Sequence, residues 1–479
     1  MAAVTGRRWS AGAARGIVTG MIARALVSRL CPALCLLLAC GDDAREDSSS
    51  ATTGASNMTG ISGISSGISI GTDTPTSGGG GSISISGTGE PKLDIPADDT
   101  EADPSGGDCP GGGGMDEDYA FSIIWVGNTG QGTVSKIDTT TATELARYRT
   151  GPSDASDPSR TSVNLRGDVA IGNRSGSITK IAANPARCVD TNGNGMIDTS
   201  QGPGDIRAWG EDECVLWHHD VGFPQGLDSN QGGPRAVAWD SGDKALCFSD
   251  ARLWIGWRDQ PGTGVKLRRL NGETGVAEVT LDVPDWNCNW GHGTYGGAVD
   301  KSGAFWALGT LQTLVHVDPK TFAVNRYEGP GSVVYGIALD GTGQPWLGGY
   351  DGRLWRFDLA GKTFVDMGGM GPNTLRGLAI DGEGFAWIAG NDPCVLVQYN
   401  TMNQQIVNGN IELPGCGEPV GVSIDHEGFV WVVDREADRA YKVDPLTHAT
   451  VTVDGLVAPY TYSDMTGAGL DLVVNPPVL

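Results

Sequence analysis

Histidine is scarce in this chain, with 6 residues in 479, which removes the commonest general base and metal ligand from most of its length. Long apolar runs are missing as well. The longest, Leu30 to Ala39, covers about ten residues, where about 20 are needed to cross a bilayer, so a helical membrane span is excluded. Basic residues are few: 33 Lys and Arg stand against 57 Asp and Glu, a formal net charge of -24. A chain so acidic is repelled by nucleic acid and by anionic lipid head groups, so no nucleic-acid partner is expected. There is no Gly-x-Ser-x-Gly nucleophile elbow, no His-Glu-x-x-His zinc motif and no phosphate loop. The carboxylate pairs Asp42 and Asp43, and Asp116 and Asp118, fall outside any patterned segment and read as solvated. Sustained helical periodicity is absent too, which leaves β-structure to build the core.

What is present is a repeat. Trp306, Trp346, Trp387 and Trp431 recur every 40 to 44 residues, each behind a short apolar strand and an Asp. The units read Gly297-Ala-Val-Asp300, Gly336-Ile-Ala-Leu-Asp340, Gly377-Leu-Ala-Ile-Asp381 and Gly421-Val-Ser-Ile-Asp425, each passing through a Gly turn to its Trp. That period is the signature of β-propeller blades. Looser copies precede them at Arg235-Ala-Val-Ala-Trp-Asp240 before Trp254, at Thr161-Ser-Val-Asn164 before Ala170-Ile-Gly-Asn173, and at Trp125-Val-Gly-Asn128. The count reaches seven. The Trp125 unit lacks a leading strand, and Tyr462-Ser-Asp-Met-Thr-Gly467 is spare at the other end. Pairing the two predicts an all-β, seven-bladed propeller over residues 115–479, closed by its C-terminal strand, with no open sheet edge. The 74 Gly and 25 Pro supply the turns such a fold needs.

The N-terminus reads as an address. Arg24 and Arg29 precede the apolar run, which ends in Leu37-Leu-Ala-Cys40, so residues 1–39 are expected to be a secretion signal. The ending resembles the lipobox of bacterial lipoproteins, which implies lipidation of Cys40 and a membrane anchor, with Gly41 after it favouring the outer membrane or cell surface. Residues 40–114, rich in Ser, Gly, Thr and Asp, hold too few large apolar groups to offset the entropy of ordering and read as a flexible, disordered tether. In an oxidising compartment neighbouring cysteines are the simplest partners, giving Cys188 with Cys214, Cys247 with Cys288 and Cys394 with Cys416, and leaving Cys109 over.

Residues 182–233 form an insertion whose start, Asp190-Thr-Asn192-Gly-Asn194-Gly195-Met196-Ile-Asp198, has the spacing of an EF-hand-type calcium loop. Asp190, Asn192, Asn194 and Asp198 would offer side-chain oxygens, Met196 its carbonyl, and Gly195 the tight turn. Position 12 is Gln201 in place of a bidentate Glu. Asp205, or Glu211 to Glu213, would complete the shell of a weak, structural Ca²⁺ site; an Asn-Gly turn without metal is the alternative.

Residues that open equivalent inner strands come together at one mouth of a propeller channel. In ring order they are Tyr462, Arg160, Arg235, Tyr295, Tyr335, Arg376 and Val420. Guanidinium forks bind carboxylate, phosphate or sulfate, and Tyr rings stack on sugars or aromatic groups. The mouth is thus a candidate site for an anionic small molecule, a glycan or a protein ligand, walled by Trp286-Asn-Cys-Asn-Trp290-Gly-His292; the bland alternative is that the arginines pair with Asp157 or Asp464 and seal the channel.

The strings Tyr-Gly-Ile-Ala-Leu-Asp-Gly at 335–341 and Glu418-Pro-Val-Gly-Val422 resemble the repeats of virginiamycin B lyase, a seven-bladed propeller that opens cyclic streptogramin depsipeptides by carbon-oxygen elimination, and more loosely NHL and YVTN-type surface propellers. The resemblance spans roughly residues 120–470. It implies catalytic His before the strand Gly, one of them in a Glu-Pro-His-Gly context, assisted by Glu and magnesium. Here those positions hold Tyr335, Arg376 and Val420; only Glu418 is kept. Without an imidazole the elimination lacks its base, and His292 alone is placed to reach the mouth. The reading is therefore a surface-anchored binding or scaffold propeller rather than an enzyme, with a virginiamycin B lyase-like enzyme as the alternative.

Overall fold

Asp and Trp of each repeat are joined by a hydrogen bond, which explains their spacing. Trp306, Trp346, Trp387 and Trp431 donate their indole N–H to Asp300, Asp340, Asp381 and Asp425, six residues earlier, at 3.1, 2.8, 2.7 and 2.8 Å. The other carboxylate oxygen accepts backbone N–H groups of the intervening turn, such as Ala304, Gln344, Phe385 and Phe429. One Asp thus closes the hairpin between the first two strands of a blade and orients the Trp into the gap beside the neighbouring blade.

The computed structural model describes residues 122–222, 227, 231–259, 264–288, 292–311 and 313–477. The chain divides at Asp94 into two units; the first lies outside the described residues, as do the signal, Cys40, Cys109 and the tether. Among the described residues there are seven antiparallel sheets, one of three strands and six of four, each a simple meander. The three-stranded sheet is the first blade, Ile123–Asn128, Thr133–Asp138 and Thr143–Arg149. The other six begin with the inner strands Pro158–Val163, Pro234–Trp239, Thr294–Val299, Val334–Leu339, Thr374–Ile380 and Pro419–Ile424.

The first blade receives its missing partner from the far end of the chain. Asn128 bridges Pro459, Tyr460 N–H donates to Gly127 O at 3.0 Å, and Trp125 N–H donates to Met465 O at 2.9 Å. The expected segment does close the ring, entering a little earlier than Tyr462 and pairing at separate points rather than as a continuous ladder. Seven apolar clusters fill the seven gaps between adjacent blades, including the gap between the last blade and the first, where Trp431 and Val433 meet Ile124 and Val126.

Near the axis inner strands approach so closely that side chains cannot pass. A Cβ at Gly421 would lie 1.7 Å from Thr461 O, one at Gly377 2.7 Å from Val420 O, and one at Gly336 2.8 Å from Arg376 O. This is the physical meaning of the Gly that opens each repeat. After closing the ring the chain turns into α1 (Ala468–Val474), whose Leu470, Leu472 and Val473 are buried. Sequence periodicity gave no sign of this helix because its seven residues are too few to establish a period.

Candidate functional site

Arg160, Arg235, Tyr295, Tyr335, Arg376, Val420 and Tyr462 are all buried and come together around one mouth of the channel. Each stands next to the strand Gly or its equivalent, so the fold delivers them from separate blades to a common layer. The Arg160 guanidinium lies over the Tyr462 ring at 3.0 Å, with Tyr295 at 4.8 Å and Tyr460 at 5.7 Å. Arg235 lies over Tyr295 at 5.2 Å. The aromatic rings touch one another: Tyr335 to Tyr462 at 4.4 Å and Tyr295 to Tyr335 at 5.1 Å.

At the centre is Tyr460, which the sequence reading passed over. Its hydroxyl accepts from Tyr335 at 2.6 Å and meets that of Tyr295 at 3.1 Å. Arg174 and Arg435 add cations at 5.5 and 5.7 Å from its ring. Signals for these residues were there. Tyr460 precedes Tyr462 by two, the strand period that places side chains on one face. Arg174, Tyr350 and Arg435 each follow directly on the second strand of their blade, after Asn173, Gly349 and Asp434.

Charge is distributed unevenly over this layer. On one side Arg376 binds Glu418 at 2.5 Å and Tyr350 Oη at 2.6 Å, and Arg435 also pairs with Glu418. Glu418 is thus held between two guanidinium groups, not poised beside an imidazole. Arg174 stands 3.7 Å from Asp157. On the other side Arg160 donates only to carbonyls, those of Tyr295 and Ser159, each at 3.0 Å. Burial lowers its pKa to about 9, with Arg235 adding like-charge repulsion and the tyrosines opposing it. Burial and the neighbouring Tyr295 and Tyr460 hold the Tyr335 hydroxyl well above the usual phenol range. The His292 ring lies tilted against Tyr295 at 5.0 Å, and Trp286 is buried in the gap between the third and fourth blades with Trp254 and Phe305; Trp290 lies outside the described residues. Asp464 takes no part in this layer: it accepts the backbone N–H groups of Thr466 and Gly467 at 3.2 and 2.8 Å, at the start of α1.

Further along the inner strands lies a cavity of about 70 Å³, partly open to solvent, lined by Ala238, Ala298, Ala338, Ala379 and Ser423 and by Leu470 of α1.

In the insertion, Asp190 Oδ1 accepts the N–H groups of Gly193 and Asn194 at 2.6 and 3.2 Å, and Oδ2 accepts that of Gly195 at 2.9 Å. The side-chain amides of Asn192 and Asn194 both donate to Asp198 Oδ2, at 2.8 and 2.7 Å. The two amides meet at one Asp198 oxygen, while Asp190 is satisfied by the backbone of the turn. Glu213 supports the loop from behind, accepting from the N–H groups of Thr191, Asn192 and Asp198; these donors, Asp198 foremost, hold its carboxyl below the usual range. Met196 is 67% exposed.

Two of the three expected disulfides form, Cys188 with Cys214 and Cys394 with Cys416. The pairing of Cys247 with Cys288 is incorrect. Cys247 is disulfide-bonded, but Cys288 is a buried free thiol facing the Gly264 and Trp286 carbonyls. Cys247 ends a helical turn between the first two strands of its blade, whereas Cys288 follows the fourth strand, so proximity in sequence does not place them together.

No family model matches this chain, and no curated protein matches it. Among solved structures it is similar to virginiamycin B lyase from Staphylococcus aureus, at 12% identity over 64% of this chain and 88% of that one, with a TM-score of 0.45. A catalytically inactive variant of that lyase with quinupristin gives 13%, 69%, 88% and 0.44. A protein of unknown function from Bacteroides caccae gives 12%, 60%, 92% and 0.38. The likeness concerns the fold.

Proposed function

We propose that this chain is a lipid-anchored extracytoplasmic binding module, tethered through Cys40, whose propeller receives an anionic or glycan ligand at the Arg and Tyr mouth. The observation that carries this reading is the gathering of Arg160, Arg235 and Arg376 with Tyr295, Tyr335 and Tyr462 from six blade positions into one buried layer. An acidic protein that concentrates cations at one point of its axis focuses a field there that draws in anions. Against the lyase reading, the positions that match its His hold Tyr335, Arg376 and Val420, and Glu418 is engaged by two arginines.

Asp190, Asn192, Asn194, Asp198 and the Met196 carbonyl would hold Ca²⁺. Oxygen-bearing side chains at this spacing suit a hard cation, and with the amides turned their oxygens would replace the bonds now made to Asp198. The ion would stiffen the insertion and would take no part at the mouth.

The test is an array of acidic glycans and small organic acids probed with the full chain and with Arg160→Ala, Arg235→Ala and Arg376→Ala. The expected result is binding of at least one class, weakened about tenfold or more by each change. Identical profiles for all four proteins would remove the mouth as the site.

A further inference from the structure

We propose that the Arg160 side of the mouth is a dedicated oxyanion site, taking one carboxylate or phosphate group between the Arg160 guanidinium and the Tyr462 hydroxyl. The inference rests on the reading of the mouth as a ligand site and narrows it to one ligand chemistry and one half of the layer.

The argument begins with charge. Arg160 has no accessible surface, and its Nη2 has no hydrogen-bond partner. Among the described residues no carboxylate pairs with it; its neighbours are tyrosines, two carbonyls and a second cation, Arg235. Enclosing an unpaired guanidinium costs several kcal/mol, and the tyrosines cannot supply the missing charge, because a hydroxyl such as that of Tyr335 is held in its neutral form. The counter-charge therefore comes from solution.

A further unfilled donor lies beside it. The Tyr462 hydroxyl is buried and without a partner, and the Tyr462 ring lies against the Arg160 guanidinium, so this hydroxyl and Arg160 Nη2 belong to one locality. Buried polar atoms in native proteins are almost all satisfied, and two adjacent orphan donors point to an acceptor that the chain itself does not supply. Both groups can donate, and an oxyanion is the acceptor they share. The contrast with the opposite side is informative: there Arg376 and Arg435 have Glu418, and no external anion is needed.

The experiment is thermal unfolding of the full chain titrated with sodium formate and with sodium phosphate at constant ionic strength. A saturable rise in midpoint with either anion is expected, and its absence in Arg160→Met, which keeps the side-chain bulk and removes the charge. Where Arg160→Met does not fold, Tyr462→Phe decides; it should weaken the apparent affinity about tenfold through the loss of one donor to a charged group. An unresponsive wild type, an Arg160→Met protein that responds like wild type, or an unchanged Tyr462→Phe affinity each overturns the proposal. Failure of this assay with glycans still retained on the array would remove the oxyanion site alone; a saturable anion effect with an empty array would leave it standing and remove the wider ligand reading.

Discussion

At the scale of single residues, Asp240, Asp300 and Asp381 at the hairpins of their blades are also titrating groups, and their surroundings differ. Burial pushes Asp381 up to about 6, with the Trp387 indole N–H opposing it, and Asp240 likewise to about 6. Asp300 goes the other way: burial alone would raise it, but bonds from His316, Ser302 and Trp306 outweigh that and leave it at about 2. A carboxyl raised in the fold holds more protons in the native state between about 4 and 6, so unfolding free energy falls as pH rises through that window, by at most about 3 kcal/mol per group. Asp300 contributes in the opposite sense, its stabilisation present above about 4 and lost as pH falls toward 2. Urea unfolding at pH 5.0 and 7.5 should show the raised carboxyls costing stability at the higher pH, and Asp381→Asn should remove about 1.4 kcal/mol of that pH-dependent loss. An undiminished difference in the variant would show that Asp381 titrates normally.

At the scale of elements, the repeat units were legible because one Asp, one Gly and one Trp each have a separate structural duty, and all three sit at fixed offsets. The mouth residues were legible for the same reason. Tyr460, Arg174 and Arg435 were not, since they lie on loops and on the closing segment, where the repeat no longer constrains position and only equivalence across blades points to them. The pairing of Cys247 failed because adjacency in sequence says nothing about which face of a blade a loop occupies. In the insertion the Asp190 and Asp198 pattern was readable, and so was the return of Glu213 to the loop through the Cys188 to Cys214 link; its role of accepting the backbone N–H groups of Thr191, Asn192 and Asp198 was not, because it depends on how the turn directs those groups. Melting the full chain with and without chelator should show a calcium-dependent rise of several degrees, abolished by Asp190→Ala. Equal midpoints would mean that the loop is held by its own hydrogen bonds.

At the scale of the whole molecule, closure joins residues far apart in sequence, with Gly127 N–H donating to Thr461 Oγ1 at 2.7 Å across 334 positions. Such a contact is costly to reach in loop entropy and is repaid only when every blade is in place. Deleting residues 459–479 removes Tyr460, Tyr462 and Met465 from the cluster between the last and first blades and bares the edge of the first. The expected outcome is loss of a single cooperative transition and self-association by sedimentation. Deleting only 468–479 should leave a cooperative fold weakened by the loss of Leu470, Leu472 and Val473, about 1.5–3 kcal/mol for each buried side chain; a fully stable 459–479 deletion would show that the ring does not need its latch.

The segment that latches the ring also carries Tyr460 and Tyr462, so the aromatic layer on the axis is the last part of the propeller to assemble. Until residues 459–465 arrive, six blades can be complete while the first still lacks its partner and Arg160 lacks the ring it lies against.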